Sequence, residues 1–134
     1  MSIKKLCEHL NSFLSALDSE YNVNNGGCAF VAYCIARNLE RLNLNYKVIF
    51  YDGYYENSAS YNLSKGEAVD HVFVVIRNYG INSAGYKIKK PFITKCSSYN
   101  LYKYYKRGEW NMDYERKYNS IVSRKINKFF NLNY

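Results

Sequence analysis

Cys28 stands behind the turn Asn24-Asn25-Gly26-Gly27 and in front of Ala29-Phe30-Val31-Ala32-Tyr33-Cys34-Ile35-Ala36-Arg37-Asn38-Leu39. Asparagines and glycines take turn and left-handed conformations at low cost, and Gly27 has no side chain to obstruct a substrate or a second backbone. Past Cys28 the apolar residues recur at helical spacing: Val31, Ile35, Leu39 and Leu42 form one stripe, flanked by Ala32 and Cys34. Arg37, Asn38, Glu40 and Arg41 fall mostly on the other side. This pattern predicts a cysteine on the first turn of a helix. There the unpaired N–H groups and the helix dipole favour a thiolate, with a pKa brought down to roughly 3.5–7.5. Such a sulphur is a nucleophile once a histidine reaches it.

A candidate histidine heads the second informative stretch, Val69-Asp70-His71-Val72-Phe73-Val74-Val75-Ile76-Arg77. Its nearly continuous apolar run predicts a strand buried on both faces, which would hold the His71 ring rigidly. Asp70 falls on the other side of that strand from His71 by the two-residue period and is not expected to serve it. Asn78-Tyr79-Gly80 reads as a tight turn and Ile81-Asn82-Ser83-Ala84-Gly85-Tyr86 as a return strand. That hairpin brings Asn82 or Ser83 back toward His71, where either could accept from the far ring nitrogen.

The elements that must position these groups are legible in outline. Ile3, Leu6, Cys7, Leu10, Phe13, Leu14 and Leu17 predict an amphipathic helix over residues 2–18, capped by Ser2, with His9 as a packing or surface residue. Asp18 to Asn22 read as a polar connector. Tyr46 to Tyr51 predict a strand, residues 54–68 a long loop, and residues 86–93 a further strand. A final helix is expected from Asn111, with Tyr114, Tyr118, Ile121, Val122, Lys125, Ile126 and Phe129 on its apolar face.

The chain has 134 residues, 48% of them hydrophobic, which suits one globular domain over 1–134. No apolar run approaches the roughly 18–20 residues that span a bilayer, and Glu8 and His9 interrupt the N-terminal apolar stretch. The expectation is a cytoplasmic protein without a membrane segment. Four cysteines (Cys7, Cys28, Cys34, Cys96) lack the spacing of a disulfide scaffold or a zinc site, so neither metal nor cofactor is expected. The net charge of +8 is lopsided: residues 1–86 carry −1 and residues 87–134 carry +9. The basic third is rich in tyrosine, a mixture suited to an anionic partner, nucleic acid or acidic protein, with Lys103, Lys106 and Arg107 as candidate contacts.

Taken together, Gly26-Gly27-Cys28-Ala29, Asp70-His71-Val72-Phe73-Val74-Val75 and Tyr79-Gly80-Ile81-Asn82-Ser83-Ala84-Gly85 resemble the papain-like cysteine peptidase superfamily, in particular its small bacterial and phage NlpC/P60-type members. The resemblance covers about residues 20–90. It departs in having Gly-Cys-Ala-Phe where Asp-Cys-Ser-Gly is common, and asparagine at the third position. It implies an α+β fold with an antiparallel sheet packed on the Cys28 helix and N- and C-terminal helices over the same core. It implies Cys28 as nucleophile, His71 as general base and Asn82 as the residue that orients the ring. The oxyanion group would come from Asn22, Asn24 or Asn25 together with the Cys28 N–H. The function expected on this basis is a cysteine peptidase, amidase or isopeptidase acting on a peptide, protein or amide substrate, or an acyl-transfer variant. The other expectation is a non-catalytic binding or inhibitory module whose basic C-terminal third holds an anionic partner.

Overall fold

The computed structural model describes residues 2–24, 27–51, 71–88, 90, 93–107 and 116–134. These form an α+β structure: helix α1 (Ile3–Tyr21), helix α2 (Cys28–Arg41), strands β1 (Lys47–Tyr51), β2 (His71–Ile76), β3 (Tyr79–Ile81) and β4 (Ile93–Thr94), helix α3 (Ser98–Arg107), a 3₁₀ turn (Arg116–Tyr118) and helix α4 (Asn119–Asn133). The loop expected at 54–68, Asp70, Trp110 and the start of the final helix at Asn111 lie outside the described residues.

The sheet is antiparallel, in the order β3-β2-β1-β4. All six residues of β2 are buried, as a central strand covered on both faces must be. β1 lies beside it with Tyr51 opposite His71 and Lys47 opposite Val75. The hairpin into β3 turns one residue earlier than the sequence suggested: Ile76 pairs with Tyr79, and the two-residue turn is Arg77-Asn78, with Arg77 at φ 56°. Gly80 therefore belongs to β3, not to the turn. A Cβ there would stand 3.2 Å from the Phe73 ring, so close packing across the hairpin favours glycine. Of the strand expected over 86–93, residues 86–88 and 90 are not in a strand, Ile93 opens β4, which pairs with β1, and residues 89, 91 and 92 lie outside the described residues.

α1 follows its predicted stripe, burying Ile3, Leu6, Cys7, Leu10, Leu14 and Leu17, with the Ser2 hydroxyl accepting from the Lys5 N–H at 3.3 Å. His9 packs edge-on against Phe129. α2 is buried over most of its surface because β2, α3 and α4 all pack on it. That corrects the assignment of Asn38 to the polar side: it is buried, and its Nδ2 donates to the Cys34 carbonyl and to Asn127 Oδ1, both at 2.9 Å. α3 was not anticipated. Its first N–H groups are met by the Ser97 carbonyl and hydroxyl, and Leu101, Tyr104 and Tyr105 form its buried face at helical spacing. One hydrophobic core runs from Ile3 to Phe130 and takes in α3 and α4, so it extends well beyond residues 20–90.

Candidate active site

Cys28 opens α2 as its first residue, with Gly27 as the N-cap and the Gly27 carbonyl accepting from the Val31 N–H at 3.0 Å. The side chain is 5% exposed and faces the head of the sheet. β3 ends at Ile81, opposite Val74, and stops short of Val72. In the space left there, the backbone N–H groups of Val72 and Ala29, with that of Cys28 itself, face the Cys28 sulphur closely enough to favour its charged form. The residue next to the candidate histidine thus faces the candidate nucleophile.

His71 begins β2 and is 3% exposed. Its ring stacks on Tyr86 at 4.8 Å between centroids and 16° between planes, and lies 5.6 Å from Phe73. A hydrogen bond ties it to the Asn82 side chain; that bond favours the protonated ring, so the imidazole donates. Asn82 is held in turn. Its N–H donates to Asn11 Oδ1 at 2.7 Å, its Nδ2 donates to the Tyr86 carbonyl, and its Oδ1 accepts from the Ala84 N–H at 3.0 Å. Of the two orienting residues left open by the sequence, His71 meets Asn82; the Ser83 hydroxyl instead accepts from Asn24 Nδ2 at 3.1 Å.

Cys28, His71, Asn82, Asn24 and Ser83 line one small cavity of about 20 Å³, walled by apolar residues of α1, α2 and β2. This is room for about one water molecule. Asn22 is not among the residues lining it: it takes the left-handed conformation that ends α1, its N–H donating to the Asp18 carbonyl at 2.7 Å. Asn25 lies outside the described residues.

Burial reverses the electrostatics expected of a helix-terminal cysteine. Removal from water raises the Cys28 thiol pKa, and the three N–H groups counter that only in part. Burial also pushes His71 down to about 4, against the opposing pull of Asn82 and of the Asp18 carboxylate. At neutral pH Cys28 is therefore a thiol and His71 a neutral imidazole, two groups that line the same cavity. The thiolate expected from the helix position alone is not the ground state, because desolvation outweighs the dipole. The other thiols are buried too: Cys7 and Cys96 are pushed up to about 11 and Cys34 to about 12.

Three supporting residues escaped the sequence reading. Asp18 anchors the Asn24 N–H through Oδ1 at 2.8 Å and lends its charge to His71. Asn11 clamps Asn82 and donates to the Gly80 carbonyl at 3.0 Å. Tyr86 stacks on His71 and meets the Tyr51 ring at a tilt of 54°. The available signal was in α1, where Asn11 and Asp18 interrupt the flank of the apolar stripe seven residues apart, two turns of helix on one face.

Among the described residues, no group of three or more histidine, cysteine, aspartate or glutamate side chains could hold a metal ion, and no helix is long and apolar enough to cross a membrane. Lys103 and Lys106 are exposed on α3, laid over the rings of Tyr99 and Tyr102 at 5.2 and 5.9 Å. Arg107 is the last residue of that helix, and its side chain is outside the described ones. Comparison with models of known protein families, with curated proteins and with solved structures finds no match.

Proposed function

We propose that this chain is a cysteine hydrolase that cleaves an amide or isopeptide bond through an acyl-enzyme on Cys28. The observation that carries the reading is the convergence of Cys28, His71 and Asn82 on one cavity, with the ring hydrogen-bonded to Asn82 and the backbone N–H of the residue after it facing the sulphur. The resemblance to papain-like peptidases belongs to the same proposal, supported by a helix-borne cysteine packed on an antiparallel sheet with the histidine at the head of its central strand.

The neutral resting pair sets the order of events. As the Cys28 sulphur attacks the carbonyl carbon, its proton passes to the His71 ring, so thiolate forms only in the transition state. The imidazolium then gains from Asn82 and from the Asp18 carboxylate. The oxyanion is met by the Cys28 N–H and by Asn24, the asparagine that lines the cavity. Collapse breaks the C–N bond, His71 returns its proton to the leaving amine, and water, deprotonated by His71, releases the acyl group as a carboxylic acid. An amine in place of water gives acyl transfer with the same residues. The cavity takes little more than the carbonyl itself, so any larger part of a substrate lies outside it.

The test is acylation by p-nitrophenyl acetate, followed as release of nitrophenolate with peptide mass spectrometry of the modified cysteine. Acetyl is expected on Cys28 ahead of Cys7, Cys34 and Cys96, which are equally buried, and the rate should fall about 10²–10⁴-fold in His71→Ala. Equal labelling of all four cysteines, or a rate indifferent to His71, sinks the hydrolase.

A further inference from the structure

We propose that the groove between α2 and α4 is a binding track for single-stranded nucleic acid. α2 lines it with Tyr33, Arg37 and Arg41, four residues apart, and α4 lines it with Ser123, Asn127 and Asn131 at the same spacing. Arg37 belongs to two adjoining depressions. One, of about 400 Å³, has aromatic walls; the other, of about 270 Å³, is lined by arginine and asparagine. Arg37 stands about 13 Å along α2 from Cys28, by helical rise, so the track is separate from the thiol cavity.

The chemistry of the two ends differs in a way that fits one ligand. At the aromatic end Tyr33 and Tyr102 lie 5.0 Å apart, and each carries a cation over its ring: Arg37 at 5.5 Å from Tyr33 and Lys106 at 5.9 Å from Tyr102. Arg37 Nη1 also donates to the Tyr33 hydroxyl at 3.0 Å, which fixes the guanidinium against the ring. An unpaired base has a flat face for such rings. At the other end Arg41 donates to Asn38 Oδ1 at 2.8 Å and stands beside the amides of Asn127 and Asn131. Those are donors for a phosphate and sugar.

Among the described residues no carboxylate lines either depression and none pairs with Arg37, Arg41 or Lys106, so within them the positive charge is uncompensated. A duplex hides its base faces and cannot use the tyrosines, whereas an acidic peptide uses the cations and leaves the rings idle. The aromatic–cation pairing selects the single strand between them. Of the basic residues singled out from the sequence, Lys106 lines this track. Lys103, laid over Tyr99, does not.

The experiment is fluorescence anisotropy of a labelled mixed-sequence oligonucleotide of about twelve nucleotides with the full chain, from about 50 to 200 mM salt. Three phosphate contacts give a slope of log K against log salt near −2, and Arg37→Gln with Arg41→Gln should flatten it by about 1.4. Tyr102→Ala should weaken binding about tenfold with the slope unchanged, and Lys103→Gln should change neither. Lys106→Gln provides a second charge variant on an exposed site of α3, and circular dichroism checks that each variant is folded. Absence of binding at low salt overturns the proposal. So does equal competition by polyglutamate or by duplex, or a slope indifferent to the arginines.

Discussion

His71 couples the candidate chemistry to stability. Its pKa is lowered by burial from 6.5 to about 4, so the unfolded chain binds a proton over a pH range in which the folded chain does not. The sign follows directly: the folded state holds its full advantage above pH 6.5 and loses it as pH falls toward about 4. A displacement of that size corresponds to about 3 kcal/mol. His71→Gln should remove this component. Urea unfolding of the two proteins from pH 7 to 4 is expected to show the steeper acid loss in the wild type. Parallel curves would mean that the ring is better solvated than its surroundings indicate. The same burial keeps the ring neutral at neutral pH and makes it a weaker base than an ordinary histidine, so the proposed proton transfer from the thiol relies on Asn82 and Asp18 to favour the imidazolium.

At the scale of elements, the candidate site depends on a junction between α1 and the β3 hairpin made through backbone groups. Asn11, on the flank of α1, accepts from the Asn82 N–H and donates to the Gly80 carbonyl. Asn11→Ala leaves both backbone groups to find other partners, at a cost of about 1–3 kcal/mol. It should also lower the acylation rate proposed for Cys28, since the Asn82 side chain is hydrogen-bonded to His71. Measuring both in one variant separates the roles: a stability loss with an unchanged acylation rate would mean that Asn82 keeps its place without α1. α3 is joined to α2 in a similar manner. The Glu40 carboxylate accepts from the Ser98 N–H at 3.0 Å and from the hydroxyls of Ser98 and Tyr46, both at 2.6 Å. A carboxylate at the first turn of α3 suits the helix dipole.

For the whole molecule, the two helices described in the basic C-terminal third belong to the core. Phe130 is fully buried with Val122 and Ile126 on α4, and Leu101 and Tyr104 are buried to the same degree on α3. Phe130→Ala is expected to cost about 3–5 kcal/mol, a large share of the roughly 5–15 kcal/mol that holds a domain. Thermal unfolding should record it as a single cooperative shift. A variant in which α4 melts alone while the Cys28 region persists would show that α4 is an appendage.

Periodicity made α1, α2, β1 and β2 legible, because each buries a continuous stripe or run that survives in sequence order. The same reading placed Cys28 at the head of a helix and His71 at the head of a strand. The hairpin was readable as a hairpin, but its turn was misplaced: Arg77 adopts the left-handed conformation that glycine would have advertised, while Gly80 answers to the Phe73 ring. α3 was hidden because its buried face is two tyrosines and a leucine among lysines, a pattern that reads as polar until α2 covers it. The sequence by itself determined the order of the chemistry-bearing residues and the type of element each one heads. Only the tertiary structure decided that Asn82, not Ser83, meets His71, that Asn22 stands apart from the cavity, and that Arg37 and Arg41 share a groove with α4. It also decided the protonation of the pair. The helix dipole is a local property that a sequence reveals, but desolvation depends on every segment packed over the sulphur and the ring, and here desolvation is the larger effect.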